Sequence, residues 1–112
     1  MSGAWLDIGA LAEIPIQGAR VVKTAQGCIA VFRPTADTAF ALEDRCPHKA
    51  GPLSQGIVHG NAVTCPLHNW AISLESGAAL GADTGQVRSF AVRIAQGRVL
   101  LDLATFAPRA AA

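Results

Sequence analysis

The sequence predicts an all-β domain on three observations. Apolar residues alternate at period two along its C-terminal third. Glycines, prolines and β-branched residues are spread evenly along the chain. No stretch of a dozen residues repeats its apolar positions at i, i+3, i+4 and i+7, so the alanine content, which alone would suggest helix, carries no weight.

From Val87 to Ile94 the chain places Phe90, Val92 and Ile94 on one face and Ser89 and Arg93 on the other, the pattern of a half-buried strand. Gln96-Gly97 supplies a turn, and beyond it Val99, Leu101 and Leu103 alternate with Arg98 and Asp102, which completes a β-hairpin. Earlier strands are predicted at Ala19 to Lys23, Cys28 to Arg33 and Thr38 to Glu43, with at most a short turn from Ala10 to Glu13. Cys28 falls inside an apolar run, Gly27-Cys28-Ile29-Ala30-Val31-Phe32, and reads as a small buried hydrophobe. Between the two groups of strands, from Arg45 to about Gly85, the texture changes: Gly, Pro and Ser are frequent and all three histidines occur. These are loops built around something.

One domain is expected from 112 residues. Its base comprises about residues 4–44 and 86–105, with a loop-built subdomain over about 45–85 and a frayed tail over 106–112. Much of the hydrophobic fraction of 51% is alanine, which buries little area per residue, so a bound ligand would help the fold. A formal charge of +1, without a run of lysines or arginines, argues against nucleic acid. The start lacks a basic region followed by an apolar one, and no stretch approaches the ~20 apolar residues needed to cross a bilayer. A cytoplasmic protein with no membrane partner is expected.

Three cysteines cannot all pair within one chain, and two of them stand beside histidines. The segments are Cys46-Pro47-His48-Lys49-Ala50-Gly51-Pro52-Leu53 and Cys65-Pro66-Leu67-His68-Asn69-Trp70. Each can present one thiolate and one imidazole from a tight loop, and a hairpin over Ile57 to Thr64 would bring the loops together. Cys46, His48, Cys65 and His68 then converge on a metal. Structural zinc would accept the same donors, although zinc sites usually group cysteine with cysteine and histidine with histidine. His59, off this spacing and beside Gly60, reads as a solvated turn residue.

The two segments resemble the Rieske family, whose pattern is Cys-x-His followed by Cys-x-x-His across a spacer that Lys49 to Thr64 fill here. The resemblance implies an antiparallel β-sandwich with a cluster-binding subdomain inserted between its strands, and one [2Fe–2S] cluster. It implies that Cys46 and Cys65 hold one iron and His48 and His68 the other, with the imidazole edges as the route for the electron. Neutral imidazoles remove negative charge, so Rieske potentials run from about −150 to +300 mV against about −400 mV for plant-type centres. In high-potential relatives the extra cysteines would fall at Gly51 and Leu67, and the Ser and Tyr donors at Trp70 and Ile72. None of those groups is present, so the low end of the range is expected. Pro47 and Pro66 fix φ and stiffen the loops. The covering loop that often carries proline is here Gly81-Ala82-Asp83-Thr84-Gly85, without one.

Within the family, Cys46 to Gly60 and Cys65 to Gly77 look most like the small subunit of assimilatory NAD(P)H-dependent nitrite reductase, on the His68-Asn69-Trp70 ending and the Ile72-Ser73-Leu74-Glu75-Ser76-Gly77 continuation. This implies a large partner subunit carrying sirohaem and FAD, and a redox role in reducing nitrite to ammonium with no substrate site on this chain. The alternatives are a free Rieske ferredoxin serving a ring-hydroxylating oxygenase and its reductase, and a structural metal-binding domain.

Overall fold

Alternating side chains can bury one face of a sheet, and this chain uses them to build two antiparallel sheets. The computed structural model describes residues 5–24, 27–45, 52–65, 71–80 and 85–107. Among these the strands are β1 (Trp5–Ala10), β2 (Gly18–Thr24), β3 (Gly27–Arg33), β4 (Phe40–Glu43), β5 (Ile57–His59), β6 (Ala62–Thr64), β7 (Ala71–Ser73), β8 (Ser89–Ala95) and β9 (Arg98–Ala107). Two 3₁₀ turns, Leu11–Glu13 and Leu53–Gln55, are the helical pieces described. Six strands form one curled sheet in the order β1-β9-β8-β4-β3-β2, and β5-β6-β7 form a small second sheet.

The apolar run of β3 is continuous because both of its faces are covered. Ile29 and Val31 join Ile8, Leu11, Ile14, Ala41, Phe90, Val99 and Leu101 inside the curl. Ala30 and Phe32 point the other way and, with Leu42 of β4, pack against Leu53, Val58, Val63, Cys65, Ile72 and Leu74 from the small sheet and its approach. Strands β3 and β4 are therefore a wall shared by two cores. The curl is fastened at its open edges by Arg20 of β2, whose guanidinium donates to the Ile8 carbonyl on β1 and meets the Glu13 carboxylate at 3.3 Å.

The predicted C-terminal hairpin is present, with Phe90, Val99 and Leu101 buried and Val92 and Ile94 packed against the same core. Ala95 pairs with Arg98, and Gln96 (φ 53°) and Gly97 (φ 76°) form the two-residue loop, both left-handed as a type I′ turn requires. In the β5–β6 hairpin His59 pairs with Ala62, and Gly60 takes the positive φ of 57°. His59 is exposed there, its Nε2 2.6 Å from the Thr64 hydroxyl.

Four readings change. Cys28 is exposed rather than buried, because β3 begins in the hairpin with β2, beyond the part of the strand that the cores cover. Asp102 is 1% exposed rather than outward, since β9 lies between β1 and β8 with Trp5 and Ala91 as its register neighbours. Strand β4 starts at Phe40, after a turn in which the Thr35 and Thr38 hydroxyls meet at 2.8 Å. At the C-terminus β9 continues to Ala107, past the expected boundary at 105; residues 108–112 lie outside the described ones. Strands β1 and β7 carry too little alternation to be read from sequence.

Candidate metal centre

Of the four proposed ligands the structure describes Cys65, directly after β6. Cys46, His48 and His68 lie outside the described residues, as do Pro47, Lys49, Gly51, Pro66, Leu67, Trp70 and residues 81–84 of the expected covering loop. What is described is the pair of bases that flank residues 46–51 and 66–70.

The first loop, residues 46–51, leaves from the end of β4. The Asp44 backbone N–H donates to the Cys28 carbonyl at 3.0 Å. The Asp44 carboxylate accepts the Ser54 N–H at 2.7 Å and its hydroxyl at 2.9 Å. The two ends of this loop are thus joined by a charged group. The second loop, residues 66–70, is closed by the ladder itself: Thr64 pairs with Ala71, and the Ala71 carbonyl accepts the Leu80 N–H at 2.8 Å. Gly56 brings the two bases together, because a Cβ on it would stand 2.3 Å from the Thr64 carbonyl oxygen. One loop base thus rests directly against the residue before Cys65.

Cys65 is fully buried among Leu53, Val58, Val63, Ile72 and Leu74. A bare thiolate would be costly in such surroundings, whereas a thiolate whose charge is shared with iron or zinc is accommodated. Ile72, where a tyrosine donor would fall in high-potential relatives, is buried in the same cluster. The Cys65 thiol, held dry directly after β6, fits the donor chemistry of a metal cluster.

Residues 4–102 match the family described as the Rieske-like [2Fe–2S] domain. This chain belongs to that family. The cofactor of this Rieske domain is a Rieske-type [2Fe–2S] cluster, and structural zinc falls away. The domain is similar to the anthranilate 1,2-dioxygenase ferredoxin subunit of Burkholderia cepacia, at 38% identity over 96 residues covering 85% of this chain and 88% of the relative. A chain in the solved complex of reduced oxygenase and oxidized ferredoxin in carbazole 1,9a-dioxygenase superposes with a TM-score of 0.79 at 27% identity, over 88% of this chain and 92% of that one. A putative NADH-dependent nitrite reductase small subunit from Mycobacterium tuberculosis also superposes with a TM-score of 0.79, covering 88% and 94%, but at 23% identity it shares the fold alone.

Sequence reasoning passed over Asp44, Ser54 and Gly56. Asp44 and Ser54 are separated by the loop that their hydrogen bonds close, and nothing in local propensity signals such a pair. Gly56 has φ −80° and ψ 177°, a conformation open to any residue, so no turn signal marks it; packing alone demands glycine there.

Proposed function

We propose that this Rieske domain is the ferredoxin of a ring-hydroxylating oxygenase system, carrying single electrons from a reductase to the oxygenase. Cys46 and Cys65 hold one iron and His48 and His68 the other, in a cluster-binding subdomain over about residues 45–85. The observation that carries the reading is the 38% identity to a dioxygenase ferredoxin over most of both chains. The motif ending at His68-Asn69-Trp70 favours the nitrite reductase small subunit instead, and that remains the second reading. Likeness over most of the chain outweighs it, because a partner reads the surface around the cluster as well as the segments that hold it.

The cluster, when bound, takes up and releases one electron. The protein's part is to keep the ligands still and dry. Burial of Cys65 excludes water from its sulfur, and the paired loop bases limit ligand movement on reduction, which lowers the reorganisation cost of transfer. With Ile72 in place of a hydroxyl donor, fewer hydrogen bonds offset the added negative charge, so the potential sits at the low end of the Rieske range. The imidazole edges of His48 and His68 form the docking point.

Iron analysis and the EPR spectrum of the dithionite-reduced protein test the ligands: the wild type gives two irons per chain and a Rieske signal, and Cys65→Ala and His68→Ala lose both. Reconstitution tests the partner. Added to a reductase and a terminal ring-hydroxylating oxygenase, the protein supports hydroxylated product in proportion to its concentration. Stable co-purification with a sirohaem flavoprotein, with no oxygenase turnover, would overturn the reading in favour of nitrite reductase.

A further inference from the structure

We propose that Asp44 is a positioning residue for the first ligand loop, acting through Ser54 to set the geometry at Cys46 and His48. The proposal rests on the assignment of those two ligands. Three described contacts carry it. The Asp44 main chain is tied to the start of β3, one residue ahead of its doubly covered part, through the Cys28 carbonyl. Its carboxylate takes two hydrogen bonds from Ser54, one from the backbone and one from the hydroxyl, across ten residues of sequence. Ser54 in turn lies in the 3₁₀ turn whose Leu53 is wholly buried and whose next residue, Gly56, abuts Thr64.

Joining the ends of a short segment removes conformations from it, and that is the route by which Asp44 acts on the two ligands between. Without the carboxylate, the described tie between Asp44 and Ser54 is lost, while the packing of Leu53 is kept. The Ser54 N–H also loses its acceptor in a half-buried setting, and hydrogen bonds to a charged group are among the stronger ones in proteins. The consequence falls on the cluster before the sheets, since neither core includes Asp44 or Ser54.

The experiment compares holoprotein variants by the decay of visible absorbance on warming and by the EPR line shape of the reduced state. Asp44→Ala should lose its cluster roughly ten- to a hundredfold faster than wild type, with broadened g-features from scattered ligand geometry and the far-ultraviolet spectrum unchanged. Ser54→Ala, which keeps the backbone bond, should be intermediate. Asp44→Asn should restore near-native retention and line shape, because its amide oxygen still accepts from the Ser54 N–H and its NH₂ donates to the Ser54 hydroxyl. Native decay and line shape in both Asp44→Ala and Ser54→Ala overturn the proposal. So does loss of sheet structure together with the cluster in Ser54→Ala, which would make the contact a support of the fold. Cys46→Ala separates the two levels: if it keeps a Rieske signal, the ligand assignment fails and takes the proposal with it; if it loses the signal while Asp44→Ala stays native, the positioning role alone fails.

Discussion

Gly56→Ala tests whether the meeting of the two loop bases is as tight as the structure makes it. The new Cβ would stand 2.3 Å from the Thr64 carbonyl oxygen, 2.9 Å from Val63 Cγ2 and 3.1 Å from the Leu53 carbonyl oxygen, where ordinary contact begins at 3.4 Å. Relief needs a separation of about 1 Å between the segment before β5 and the end of β6, and overpacking of this kind typically costs about 1–3 kcal/mol. With a melting shift of roughly 4–8 °C per kcal/mol for a domain of about this size, a fall of about 10 °C is expected. Because the displaced atoms belong to the residue before Cys65, cluster content should fall as well. Gly60→Ala is the control. Its φ of 57° costs roughly 1–2 kcal/mol in any L-residue, but a Cβ there meets nothing within 4 Å. It should lower the melting temperature and leave iron content untouched. Thermal unfolding by circular dichroism and iron analysis on the two variants decide the matter. A Gly56→Ala protein with full iron content and a melting temperature within about 2 °C of wild type would refute the close approach.

Phe32→Ala removes the largest fully buried side chain of the wall between the cores, and a loss of about 3–5 kcal/mol is expected in denaturant titration, against near zero for Val21→Ala on the exposed part of β2. Cys28 should react with a thiol reagent in the folded protein while Cys65 does not, as mass spectrometry after alkylation would show. The Arg98 guanidinium, and next the Gly9 N–H, hold the Asp7 carboxyl below its ordinary value of 3.8. Stability from this pair is therefore present above pH 3.8 and lost as pH falls through the lower folded value. An NMR titration should show the Asp7 midpoint rising in Arg98→Ala.

Legibility in the sequence followed the reach of the signal. The β8–β9 hairpin is readable because its pattern and its Gln96-Gly97 turn are local, and the [2Fe–2S] cofactor because paired Cys-His segments restrict which group can be held. Cys28 and Asp102 were misjudged because burial depends on which strands lie alongside, and period two reports only which residues share a face. β1 pairs with β9 from the far end of the chain, and its Trp5-Leu6-Asp7-Ile8 run shows too little alternation to stand alone. Residues that support the loops were the least visible, since their partners are set by the folded path.

The way the flanks of both segments bear on β3 and β4 suits what electron transfer asks of a small protein. A domain of this size has few places where the backbone cannot move, and a strand covered on both faces is one of them. The first loop starts at the end of β4 and is tied back to β3, while Cys65 packs into the core on the other side of the same wall. The described flanks of both segments thereby bear on one wall.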